Sequence, residues 1–217
     1  VSFEAVIFDL DGTLADTLED IADATNRVLS GRGYPPHHYQ DYRYLIGRGM
    51  RNLVAEALPV DERTDGTIDE CLTRLLADYA RHCLVKTHLY EGVEDLLAAL
   101  RDDGAVLAVL SNKVDKLTRR IVEGLTGQRT FRVVMGARPD VPLKPDPGGA
   151  LLVAARLGVP PEGVAYLGDS GIDMRTAVAA GMQPVGVSWG FRSRGELLDG
   201  GARVVIDHPL ELLALRA

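Results

Sequence analysis

The chain has 217 residues, 46% of them hydrophobic and 25% charged, with a formal net charge of -7. This is the balance of a folded globular protein, and the length suits one large domain or a core carrying a smaller insert. The acidic charge argues against nucleic acid as a partner, which needs a basic footprint. The longest apolar runs are too short to span a bilayer, so no membrane partner is expected.

The opening segment, VSFEAVIFDLDGT, has no basic stretch ahead of an apolar one and does not read as a signal peptide. Residues 5–10 form a short apolar run that ends in acids, the pattern of a buried strand. Similar runs recur at 105–110, 132–136, 164–168, 185–188 and 203–206. Between them lie helical patterns at 92–103, 115–125, 149–157 and 172–180, three of which stop at Gly104, Gly158 and Gly181. Alternation of strand and helix predicts an α/β fold, a parallel sheet with helices on both faces.

Residues 16–87 break the alternation. Thr17-Leu-Glu-Asp20 resembles a capping box with Asp in place of Glu, and Leu18, Ile21, Ala22, Thr25, Val28 and Leu29 follow helical spacing. Further helical patterns at 50–58 and 68–83 make this stretch an all-helical insert, with hinges expected at 14–17 and 85–91. The expected domains are therefore an α/β core, residues 1–15 and 88–217, and a helical cap, residues 16–87. Cys71 and Cys83 read as partly buried thiols in a reducing, cytoplasmic setting.

Ligands of an open parallel sheet bind outside the carboxyl ends of its strands. There the first strand delivers Asp9, Asp11, Gly12 and Thr13, and the second Ser111 and Asn112. Lys144 lies in a Pro-rich loop after the third, and the fourth brings Asp169, with Asp173 just beyond. Taken singly, each has a plainer reading as a turn, a helix cap or a solvated lysine. Together they place carboxylates and one ammonium on one edge, a costly arrangement that a divalent cation relieves. Oxygen-only ligands suit Mg²⁺, with Asp9 and Asp169 as direct ligands, Asp11 through its backbone carbonyl, and Asp173 directly or through water. Asp9 is the candidate nucleophile toward phosphorus, and Asp11 the acid and base. Ser111, Asn112 and Lys144 are the candidate binders of phosphoryl oxygens.

These residues resemble the haloacid dehalogenase superfamily, in its phosphatase branch with a helical cap after the first strand. FDLDGTLADT (8–17), LSNK (110–113), Lys144-Pro145 and GDSGID (168–173) are similar to its four motifs. The resemblance implies a Rossmann-like core and a Mg²⁺-dependent phosphomonoester hydrolase acting through an aspartyl-phosphate. It implies Asp9 as nucleophile, Asp11 as acid and base, and Asp9, Asp11 and Asp169 as metal ligands. GTLADTLEDI, IGRGMRNLV, KPDP and AGMQPVGVSWGF further resemble phosphoglycolate phosphatases, with pyrophosphatase, nucleotide or sugar-phosphate phosphatase and phosphomutase as alternatives. The expected partner is a small phosphorylated metabolite, and the expected state a monomer or homodimer. Arg48, between Gly47 and Gly49, is expected to reach a carboxylate or second phosphate of the substrate.

Overall fold

A computed structural model gives the structure and describes residues 3–216. In chain order, β1 (Ala5–Phe8) and β2 (Ala15–Asp16) precede four helices: α1 (Leu18–Ser30), α2 (Tyr39–Leu45), α3 (Met50–Ala57) and α4 (Asp65–His82). Then follow β3 (His88–Leu89), α5 (Val93–Asp102), β4 (Val106–Val114), α6 (Asp115–Thr126), β5 (Val133–Ala137) and α7 (Gly148–Leu157). The chain continues through β6 (Val164–Gly168), α8 (Gly171–Ala179), β7 (Gln183–Val187), α9 (Arg194–Asp199), β8 (Val204–Ile206) and α10 (Glu211–Ala214).

Six strands form one parallel sheet in the order β5-β4-β1-β6-β7-β8. Counting only its own strands, this is the doubly wound order 3-2-1-4-5-6, whose direction of winding reverses between β1 and β6. β1 sits at that reversal with every residue buried, which explains its unbroken apolar run. Its side chains alternate between two cores. Ala5 and Ile7 join α7 and α8 residues on one face, and Val6 and Phe8 join α5 and α6 residues on the other. Burial of Val6, Ile7 and Phe8 is worth on the order of 2 kcal/mol each.

The second of these cores runs without a break into α1, α2, α3 and α4 through Ile21, Tyr42, Leu53, Leu75 and Tyr79. The two connections to this helical stretch, expected as plain hinges, pair as an antiparallel ribbon of β2 with β3. Two-residue strands carry too little pattern to be read from sequence. β4 extends past the expected end, through Ser111, Asn112 and Lys113 to Val114, with a register shift against β5 between Leu110 and Val114.

The expected capping box at α1 does not form. Thr17 occupies the N-cap position, but its hydroxyl donates to Asp11 Oδ1 (2.5 Å). Asp20 instead accepts from the backbone N–H groups of Val85, Lys86 and Thr87 and from the Thr87 hydroxyl, at 2.8–3.1 Å. A buried carboxylate in the first turn thus staples the returning connection to the departing one. Both cysteines are buried and free. Among the described residues, no helix is long and apolar enough to cross a membrane.

Candidate active site

β1 delivers Asp9 to the sheet edge, where its N–H donates to Leu167 O of β6 (2.9 Å). The chain then curls tightly, with Leu14 and Ala15 N–H both donating to Leu10 O (3.1 and 3.0 Å). Gly12 takes φ 86° in this turn, and a Cβ there would lie 2.2 Å from Asp169 Oδ2. Only glycine fits, so the turn brings the two chain segments into contact. Gly190, in the loop after β7, is equally confined, since a Cβ would lie 2.3 Å from both Asp169 Cβ and Gly12 O. Next to it, Phe191 N–H donates to Asp169 Oδ2 (2.7 Å).

The fold's reversal point therefore gathers acids from both halves of the sheet. Asp9, Asp169 and Asp173 each present a carboxylate oxygen, and the three oxygens lie within 4.8 Å of one another. All three residues are buried. Lys144 reaches in from its loop, its Nζ 2.8 Å from Asp9 Oδ1 and 2.6 Å from Asp173 Oδ1. It also donates to Leu110 O (3.2 Å). On the other side, Lys113 Nζ lies 2.5 Å from Asp11 Oδ1.

Four buried carboxylates thus share the site with two buried ammonium groups, and the local balance stays negative. Burial, then the Asp173 charge, pushes the Asp9 carboxyl up to about 7 against the pull of Lys144, with Asp11 adding to the rise. Burial, Asp173 and Asp9 hold the Asp169 carboxyl well above its ordinary value. Burial opposes charge on Lys144, but Asp173 and Asp9 keep its ammonium protonated far above the usual range. The donor set of hard oxygens with surplus negative charge fits a divalent cation such as Mg²⁺.

A cavity of about 20 Å³ adjoins these groups, lined by Asp9, Asp11, Ser111, Lys113 and Lys144 from the sheet side. Ile21, Ile46, Met50 and Leu53 close it from the helical side. That is room for little more than a water, so any ester must enter by displacement of this helical wall.

Three of the expected site residues have other partners in this arrangement. The Arg48 side chain is 62% exposed and faces Glu56 Oε1 at 3.7 Å, although Gly47 and Gly49 on either side line the cavity. Arg48 lies in the loop before α3, stays solvated and is not among the residues that line the cavity. The Asn112 amide donates to Gly47 O and Lys144 O (3.0 Å each), and its oxygen accepts from Lys144 N (2.9 Å). Both its donors are spent on the backbone, so its side chain fixes the Lys144 loop and has none left for a phosphoryl oxygen. Asp173 is equally committed, with Oδ1 on Lys144 and Oδ2 accepting from Ser170 N–H and Oγ–H. This favours an anchoring role over direct ligation.

Sequence reasoning gave no role to Lys113, which lines the cavity, or to Tyr79, whose hydroxyl accepts from the Lys113 ammonium. Lys113 followed Ser111 and Asn112 and could have been flagged by its strand-tip position. Tyr79 looked like one more apolar position on a long helix.

This arrangement, a doubly wound sheet whose strand tips converge carboxylates at the winding reversal, defines a hydrolase with a carboxylate-based site. Residues 6–187 match the model of the haloacid dehalogenase-like hydrolase family, and the chain belongs to that family. It is 33% identical to phosphoglycolate phosphatase 1 of Pseudomonas aeruginosa, covering 96% of this chain and 78% of that one. It is 31% identical to the N-acetylmuramic acid 6-phosphate phosphatase of the same organism, covering 97% and 93%. Among solved structures, a candidate phosphoglycolate phosphatase from Lactobacillus delbrueckii subsp. bulgaricus is similar with a TM-score of 0.93 and 30% identity, covering 100% and 99%.

Proposed function

We propose that the protein is a Mg²⁺-dependent phosphomonoester hydrolase that works through an aspartyl-phosphate on Asp9, with phosphoglycolate as the best single substrate. The observation that carries this reading is the meeting of Asp9, Asp169 and Asp173 beside Lys144 and Asp11 at one sheet edge.

Asp9 and Asp169 would hold the cation, with the Asp11 backbone carbonyl. When bound, Mg²⁺ neutralises charge on the phosphoryl oxygens. Lys144 and the Ser111 hydroxyl orient the phosphoryl group against Asp9. A carboxylate oxygen of Asp9 attacks phosphorus as the bond to the ester oxygen breaks, and Asp11 gives that oxygen a proton. Asp11 then takes a proton from water, which attacks the acyl phosphate at phosphorus. The bond to Asp9 breaks and inorganic phosphate leaves.

Residues 16–87 act as the cap in this reading. Their apolar wall limits the entry of bulk water and leaves room for the one water that Asp11 activates against the acyl phosphate. The N-acetylmuramic acid 6-phosphate phosphatase relative supports a second reading, a sugar phosphate, at nearly equal identity. Two buried free thiols suit a reducing cytoplasm.

The test is phosphate release from phosphoglycolate, N-acetylmuramic acid 6-phosphate, pyrophosphate and nucleoside monophosphates at millimolar Mg²⁺. Turnover of phosphoglycolate well above the rest is expected. A preference for the sugar ester would transfer the assignment to the second reading, and no release from any of them would end the phosphatase proposal.

A further inference from the structure

Asp11 is held by one oxygen only. Thr17 Oγ–H and Lys113 Nζ both donate to Oδ1, each at 2.5 Å, and no hydrogen bond from the described residues reaches Oδ2. Lys113 itself is buried, with its side chain 2% exposed, and its ammonium also donates to the Tyr79 hydroxyl (2.9 Å). The same ammonium lies 4.8 Å from the centre of the Tyr79 ring. Tyr79 is fully buried on α4, within the helical stretch, whereas Lys113 belongs to β4 and Asp11 to the turn after β1. A hydrogen-bonded chain therefore crosses from the helical stretch to the sheet and ends on the carboxylate assigned as acid and base.

From this geometry we infer that Tyr79 and Lys113 are positioning residues that set Asp11 when α4 is seated against the sheet. The inference deepens the proposed phosphatase reading and rests on it. Lys113 and Thr17 fix the anchored oxygen from two directions, which orients the carboxyl and leaves Oδ2 as the oxygen that no donor among the described residues reaches. In the acid role assigned to Asp11, Oδ2 is then the atom that passes a proton to the ester oxygen as the phosphorus–oxygen bond breaks and the bond to Asp9 forms. If α4 lifts, Lys113 loses its phenol partner and the Tyr79 ring beside it, so the ammonium and the Asp11 oxygen it holds are no longer fixed in place. Proton donation is then tied to closure, so a phosphoryl group is not transferred while the site is open to water. Neither residue touches the ester. They act through Asp11.

A purely structural ion pair would support all substrates alike, and this separates the two possibilities. A poor alkoxide leaving group needs a proton from Asp11, while p-nitrophenolate leaves without one. The experiment compares kcat/KM, which reports the steps up to transfer to Asp9, for phosphoglycolate and p-nitrophenyl phosphate in the full chain with Mg²⁺. Tyr79→Phe keeps the ring and removes the hydroxyl, and Lys113→Met keeps the stem and removes the charge. A positioned general acid is worth roughly 10²–10⁴-fold. On that scale, Tyr79→Phe should lower kcat/KM for phosphoglycolate by about tenfold or more and for the aryl ester by less than about threefold, with Lys113→Met larger in the same sense. Equal losses on both esters, or no loss on phosphoglycolate in Tyr79→Phe, would overturn the inference. If Lys113→Met does not fold, Tyr79→Phe decides alone. A wild-type chain that cleaves neither ester would overturn the phosphatase reading itself, which is a different result from an active wild type with uniform losses.

Discussion

Removal of the divalent cation gives a pH dependence whose sign and size follow from the site. The Asp9 carboxyl moves from 3.8 to about 7 in the fold, chiefly by burial and secondly by the Asp173 charge, and Asp169 moves the same way. A carboxyl raised on folding makes the native state bind more protons than the unfolded chain between those values. Stability then falls as pH rises. The contribution is complete below about 4 and is lost as pH climbs through about 7. For Asp9 alone the shift corresponds to about 4 kcal/mol, an upper scale because water and side-chain relaxation reduce it. A bound cation replaces the proton, so it should stabilise strongly at pH 8 and weakly at pH 5. At a hundred times its dissociation constant it contributes about 2.7 kcal/mol. The Asp23, Asp78 and Asp115 carboxyls are lowered in the fold, so their contribution is present above the ordinary value and outside this window. The assay is urea unfolding between pH 5 and 8, with chelator or with Mg²⁺, in wild type and Asp9→Asn. The metal-free protein should lose on the order of 2–4 kcal/mol across this range, and the variant should lose less. A flat or rising metal-free profile, or equal stabilisation by Mg²⁺ at both ends, would refute the reasoning.

Other expectations concern the helical stretch. Asp20→Ala orphans the donors of Val85, Lys86 and Thr87 and should cost about 2–3 kcal/mol in chemical unfolding, less than a fully buried case because Val85 and Lys86 can recover water; a loss below about 1 kcal/mol would show the staple to be idle. Arg192 donates to Tyr44 O and Ile46 O while Arg43 donates back to Gly190 O and Phe191 O, a reciprocal clasp between the cavity wall and the Asp169 loop. Arg192→Ala should raise KM severalfold and speed amide exchange over residues 43–49, and unchanged exchange there would remove the clasp from the account. Arg48→Ala should leave kcat and KM within about twofold, as for an exposed pair. A large KM change would return Arg48 to the substrate.

The sheet was legible because its buried strands write themselves as apolar runs of the right length, and the runs of β1, β4 and β6 each lead into polar residues. Asp9, Asp11, Ser111 and Asp169 stand out by that position, and Lys144 by its place in the Pro-rich loop after β5. What stayed hidden depends on partners far along the chain. Asp20 looked like a cap residue because its bonds to residues 85–87 leave no local trace. Asn112 looked like a phosphate binder because nothing in the sequence shows that residues 47 and 144 would use its amide. Tyr79 was indistinguishable from a core aromatic until Lys113 was seen beneath its hydroxyl. α2 escaped because HHYQDYRYL has almost no aliphatic periodicity and is held by Tyr42 instead.

The nucleophile can be caught directly. Asp11→Asn should still transfer a phosphoryl group from p-nitrophenyl phosphate, which needs no acid, but should fail to activate water, so the acyl phosphate accumulates. Borohydride reduction followed by peptide mass spectrometry should then find homoserine at position 9. Release of p-nitrophenolate with an unmodified aspartate at that position would contradict covalent transfer through Asp9.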